Sequence, residues 1–201
     1  MDQISIDYYK KKYDKLYGRD YYPSDAFLSI YVGSIYKLIS ETKAKTILHY
    51  GAETENIRQS RKWFYDLLGD VTIKCYDPFL DDPKEIEGLN FDGVICFDFL
   101  QRVQSHNVAP ICEYFFKTAN KFIFNGVATF DTGGEFVDGE PISTTVRPHD
   151  WWDRVMMNIH GGSRTMQQLK VVQMFVLSSE AFRLSINMCS PEASVNTLNL
   201  L

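Results

Sequence analysis

The chain lacks any apolar run approaching the ~18 residues that a membrane-spanning helix requires, and Met1 opens a polar, tyrosine-rich segment with no leader pattern. A membrane protein and a secreted one are therefore not expected. Cysteines are few and scattered: Cys75, Cys96, Cys112 and Cys189 form no C-x-x-C pair, which argues against zinc or dithiol chemistry and for a reducing, cytoplasmic setting. Cys75 and Cys96 fall within predicted strands, where a thiol acts as a small apolar group. His49, His106, His149 and His160 lack ligand spacing, so no metal site is expected. Excess positive charge is missing too. The net charge is −5, and the one basic cluster, Lys10-Lys11-Lys12, reads as a solvated helix face. An extended nucleic-acid surface is not expected.

Repeats, low-complexity tracts and linkers are equally absent. A chain of 201 residues with 45% hydrophobic content suits one domain with a full core. Its sequence divides into a helical segment over 1–43, an alternating half over 44–128, and a loop with final strands over 129–201.

Tyr9, Tyr13 and Tyr17 share one stripe of a first predicted helix. Ser24 or Asp25 can cap a second, whose inner face is Phe27, Leu28, Tyr31, Ile35, Leu38 and Ile39. Strands are predicted at Thr46 to Tyr50, Val71 to Tyr76, Gly93 to Phe97 and Lys121 to Ala128. Between them lie helices at Asn56 to Leu68, amphipathic with Ile57, Phe64, Leu67 and Leu68 on the inner face and stopped by Gly69, and around Val108 to Thr118. A long loop, Thr129 to Val146, leads to a helix opened by Pro148 and carrying Trp151, Trp152, Val155 and Met156. Leu169 to Leu177 and Phe182 to Cys189 read as neighbouring strands. The apolar tail Val195 to Leu201 suggests docking onto the core or onto another subunit.

This alternation predicts an α/β fold, a mostly parallel sheet with helices on both faces. In such folds ligands bind beyond the carboxyl ends of the strands. Those ends carry Gly51, Asp77, Asp98 and the segment after Ala128. The first turn, Tyr50 to Glu55, is short of glycine. A nucleotide-binding α/β protein needs close backbone approach there, yet only Gly51 is present and Glu53 and Glu55 follow it.

The chain resembles a class I S-adenosylmethionine-dependent methyltransferase, of the small Rossmann-like type common in bacteria and their phages. In that family the first strand reads apolar-apolar-Asp-x-Gly-x-Gly-x-Gly, and the matching positions are His49, Gly51, Glu53 and Glu55. Phe91-Asp92-Gly93-Val94 through Asp98-Phe99-Leu100-Gln101-Arg102-Val103 resembles F-D-x-V-x-x-x-D-V-L-E-H-V, with Gln101-Arg102 in place of Glu-His. Asp138-Gly139 and Pro148 to Trp152 resemble a substrate-side lid. Only Pro78 to Asn90 separate Asp77 from the next strand, so the family's third strand is expected to be shortened or absent.

The resemblance implies S-adenosylmethionine as cofactor, held by Gly51, Glu53, Asp77, Asp98 and Tyr17, with Asp77 on the ribose hydroxyls. His149 or Asp98 would serve as base where the acceptor must lose a proton. A carboxylate within ~5 Å of the cofactor's own carboxylate would cost roughly 3 kcal/mol, about a hundredfold in affinity, unless Arg58 or Arg61 offsets it. Cofactor binding is therefore expected to be weakened or lost. Two functions stand open. One is a divergent methyltransferase acting on a small molecule, sugar or nucleotide. The other is a non-catalytic scaffold with a protein partner, a subunit of a larger assembly or an oligomer joined through the tail. Structural readings stand beside these: Asp77 can cap its turn, His149 can be a surface residue, and the tryptophans can be core.

Overall fold

The computed structural model describes residues 8, 10, 28–131, 135, 139–161, 169–178, 181–188 and 198–200. Tyr9, Tyr13, Tyr17, Ser24, Asp25, Phe27, Asp138 and Cys189 lie outside the described residues.

Helix α1, Leu28–Thr42, buries Leu28, Tyr31, Ile35, Leu38 and Ile39 on one face, as their three- and four-residue spacing dictates. Strand β1, Thr46–Tyr50, follows. The next predicted helix is broken in two: α2, Glu55–Ser60, and α3, Lys62–Leu67. Arg61 sits at the break, with φ −95° and ψ 13°. The shift in phase turns Leu67 outward, 56% exposed, while Phe64 and Leu68 stay buried. This corrects the sequence assignment of Leu67 to the inner face.

Strand β2, Thr72–Tyr76, is followed by only a 3₁₀ turn, Pro83–Glu85, before β3, Phe91–Phe97. No third strand lies between them, as the short spacing implied. Helix α4 is Ser105–Thr118, β4 is Ala119–Ala128, and α5 is His149–Gly161. Strands β5, Lys170–Ser178, β6, Ala181–Met188, and β7, Leu198–Leu200, complete one sheet.

The strand order is β2-β1-β3-β4-β5-β6-β7. Strands β1 to β5 pair in parallel, and β6 and β7 add antiparallel. Of the apolar tail, Leu198–Leu200 pairs as strand β7 with β6. Because β2 and β3 flank β1 on opposite sides, the switch point lies at the carboxyl ends of β1 and β3.

Two cores sandwich the sheet. Tyr31, Ile35 and Phe64 cover Ile47, Ile95 and Phe124 on one face. Phe115, Trp152 and Met156 cover Leu48, Val94 and Val127 on the other. Asp92 is structural, since its carboxylate accepts from Lys45 N at 2.6 Å and pairs with Lys121 at 3.1 Å, joining the starts of β1, β3 and β4. The chain is a single α/β domain. Among the described residues no helix is long and apolar enough to cross a membrane.

Candidate functional site: the crevice beyond β1 and β3

The chain leaves β1 through Gly51, whose φ of +77° lies in the region that glycine enters without strain. Its N–H donates to the Tyr76 carbonyl at 2.8 Å, and Ala52 N–H shares that oxygen at 3.2 Å. The space beside Gly51 is filled. A Cβ there would stand 2.4 Å from Cγ of Phe99, the second residue after β3. Phe99 in turn packs at 5.3 Å from the Phe79 ring and edge-on at 5.5 Å from Tyr50. All three rings are buried.

Glu53 stands at φ +60°, uncommon for a residue with a side chain. Its side chain is 5% exposed. One carboxylate oxygen accepts from Arg61 Nη1 at 2.7 Å and the other from Arg102 Nη1 at 2.7 Å. Burying a carboxylate is tolerable when such charge-assisted bonds hold it. Arg61 offsets Glu53 as the sequence suggested. Arg58 instead pairs with Asp81 at 3.0 Å and donates to the Ala52 carbonyl at 3.3 Å. Glu55 faces outward, 67% exposed, beside Arg58 and Gln59, so it takes no part in the crevice.

Asp77 is buried at the end of β2. One of its oxygens accepts from Glu53 N at 3.1 Å and the other from Phe79 N at 2.9 Å. Burial, reinforced by the Glu53 charge and opposed by these backbone bonds, pushes its carboxyl up to about 6. Asp98, directly after β3, also takes a left-handed conformation, φ +53°. It is partly exposed, its N–H extends the ladder to Gly126 O at 3.0 Å, and its carboxylate accepts from the Tyr31 hydroxyl at 3.3 Å. Desolvation pushes Asp98 up to about 6, with Arg102 opposing the rise and Glu53 adding to it.

The structure therefore gathers Gly51, Glu53, Asp77 and Asp98 around one point. His149 stands at the start of α5 with its ring 6.0 Å from that of Phe175. Tyr17 lies outside the described residues. Trp152 is core, its Nε1 donating to Arg147 O at 3.2 Å, with Trp151 packed edge-on at 4.8 Å. Of the long loop, Ile142, Ser143 and Thr145 are buried, and Thr145 N donates to Gln101 O at 2.9 Å, tying this stretch to the rim beyond Asp98. Glu140 accepts from the Tyr8 hydroxyl. His49, at the family's acidic position, is buried between Phe97 and Tyr65, its Nδ1 2.8 Å from the Tyr65 hydroxyl. Burial and the Arg61 and Arg58 charges hold it well below its ordinary pKa, hence neutral.

Sequence reading missed Phe99 and Tyr31 as parts of this cluster, and Arg102 as the second partner of Glu53. A signal existed for Arg61, which the sequence reading names, but not for Arg102. Ile57, Arg61, Phe64 and Leu68 recur at helical spacing, which puts a cation on an apolar face. A glutamate in a buried turn calls for such a cation.

The groups that the resemblance assigns to S-adenosylmethionine already have partners within the chain. The N–H groups of Gly51, Ala52 and Glu53 are engaged, both Asp77 oxygens accept backbone bonds, and Phe99 packs against Gly51. Among the described residues no group of three or more His, Cys, Asp or Glu side chains is placed to hold a metal ion.

Sheet order defines a Rossmann-like α/β domain. No family model matches the chain, and no curated protein does. Among solved structures it is similar to an O-methyltransferase family protein from Burkholderia thailandensis, at 13% identity and a TM-score of 0.49, over 84% of this chain and 59% of that one. It is also similar to PKMT2 from Rickettsia typhi in complex with AdoHcy, at 17% identity and a TM-score of 0.29, over 50% of this chain and 25% of that one. The chain thus spans under two thirds of the length of either neighbour.

Proposed function

We propose that this chain is a methyltransferase-like domain that acts as a non-catalytic scaffold or binding subunit, with S-adenosylmethionine binding weakened or lost. The observation that carries this reading is the Phe99 ring lodged where Gly51 has no side chain. A glycine that elsewhere would let a ligand approach the backbone here admits a residue of the same chain. Glu53 supports the same reading, since both of its carboxylate oxygens are taken up by Arg61 and Arg102. Its partner is a protein rather than a nucleic acid, given the acidic net charge of −5.

A second reading, a divergent active methyltransferase for a small molecule, sugar or nucleotide, is favoured by one feature. Asp77 and Asp98 flank Glu53 with carboxyls pushed up to about 6, and perturbed acids gather at functional sites. Calorimetric titration of the wild-type chain with S-adenosylmethionine and S-adenosylhomocysteine separates the two. The scaffold reading expects no saturable heat at micromolar ligand, and tight binding of either compound would favour the enzyme.

A further inference from the structure

On the α4 side of the sheet, beside the crevice but lined by none of Gly51, Glu53, Asp77 or Asp98, lies an open pocket of about 380 Å³. That volume is within the range of small-molecule sites. The short connection from Asp77 to Phe91 leaves it uncovered at the edge of the sheet. Its walls include Tyr50, Tyr76 and Tyr114, together with Pro83, Pro110 and Glu87.

The three tyrosine rings form one group, Tyr76 at 5.4 Å and Tyr114 at 6.0 Å from Tyr50, each tilted to it by 51° and 45°. All three line the pocket, and a ring attracts a cation at its π face. The Tyr114 hydroxyl donates to the Ile86 carbonyl at 3.3 Å, which fixes that ring at the pocket wall.

The charges around the pocket have the matching sign. Glu87 is exposed at its rim and makes no ion pair among the described residues. Asp77, Asp81 and Asp82 all place negative charge near Tyr76, whose hydroxyl is raised by burial first and by these carboxylates next. The nearby cations are largely engaged: Arg58 with Asp81 at 3.0 Å and Lys74 with Glu85 at 2.5 Å.

We propose that this pocket binds a small organic cation of the quaternary ammonium class, the tyrosine rings supplying the π surface and Glu87 the counter-charge. Such a cation sheds water readily and cannot donate N–H bonds, so a wall of aromatic rings and prolines with few hydrogen-bonding groups suits it better than it suits a primary amine.

The test is titration of the full chain with choline and with 3,3-dimethyl-1-butanol, its uncharged carbon isostere, followed by ligand-observed NMR. Choline is expected to bind at least about tenfold more tightly than the isostere. Glu87→Gln, a surface change that leaves the core untouched, should weaken choline several-fold. Tyr114→Leu should do the same, and Tyr114→Phe should retain affinity because the ring remains. Equal affinity for the two compounds, no choline binding at tens of millimolar, or unchanged choline affinity in Glu87→Gln would each overturn the proposal. Thermal melting establishes that the variants fold, and Glu87→Gln decides the matter if Tyr114→Leu does not.

Discussion

The Gly51 backbone and the Phe99 ring interlock: Phe99 Cγ, Cβ and Cδ2 stand 2.4, 2.5 and 2.6 Å from where a Gly51 side chain would begin. Gly51→Ala must displace a buried ring and also place a Cβ at φ +77°. A loss of at least about 3 kcal/mol is expected in denaturant unfolding. Phe99→Ala should cost roughly 3–5 kcal/mol by cavity formation. The double variant should lose less than the sum, because Phe99→Ala removes Cγ and Cδ2 from the clash and leaves room for the remaining Cβ to shift.

Glu53 lies within hydrogen-bonding distance of both Arg61 and Arg102. Glu53→Gln leaves two buried guanidinium groups short of a charge, and about 3–5 kcal/mol of stability should be lost. Glu55→Gln should change stability by less than about 0.5 kcal/mol, since its 67% exposed side chain makes only surface pairs. Equilibrium unfolding of the two variants side by side checks the contrast.

The raised acids set a pH dependence opposite to that of a salt-bridged carboxylate. Asp98 holds its proton in the folded chain up to about pH 6 but loses it near the ordinary carboxyl value of 3.8 when unfolded. Between those values the folded state binds more protons, so this group's contribution falls as pH rises from about 4 to about 6 and is level above that. Asp98→Asn keeps an acceptor for Tyr31 and tolerates the left-handed backbone. Melting curves from pH 4 to 7 should therefore show the variant gaining on wild type as pH rises. A constant difference across that range would contradict the raised value.

Much of the fold was legible because hydrophobic periodicity is a local signal. Thr46 to Tyr50 is predicted with the bounds observed. The absent third strand could be read from the shortness of Pro78 to Asn90. The break at Arg61 was not legible. Continuous helical spacing through Ile57, Phe64, Leu67 and Leu68 concealed a turn that exists to deliver Arg61 to Glu53, a tertiary requirement. The crevice was half legible. Strand ends placed Gly51, Asp77 and Asp98, because topology alone converges them. That Phe99 fills the gap depends on packing between segments far apart in sequence, and no local pattern carries it.

A direct comparison follows for helix α3. Phe64→Ala should cost about 3–5 kcal/mol, as a fully buried aromatic on the α1 side of the sheet. Leu67→Ala should cost under about 0.5 kcal/mol because the side chain is 56% exposed. An unbroken helix with Leu67 inside would give comparable losses for both.

The closure of the crevice is tested most directly by calorimetric titration of S-adenosylhomocysteine into wild type, Glu53→Gly and Glu55→Gly. Wild type should show no saturable binding at micromolar ligand. Glu53→Gly should bind better, since it frees Arg61 and Arg102 for a ligand carboxylate and relieves a left-handed glutamate, by up to about a hundredfold. Glu55→Gly should match wild type. Micromolar binding by wild type that Glu53→Gly leaves unchanged or weakens would show that the Glu53–arginine cluster belongs to a working cofactor site, and the scaffold reading would be abandoned.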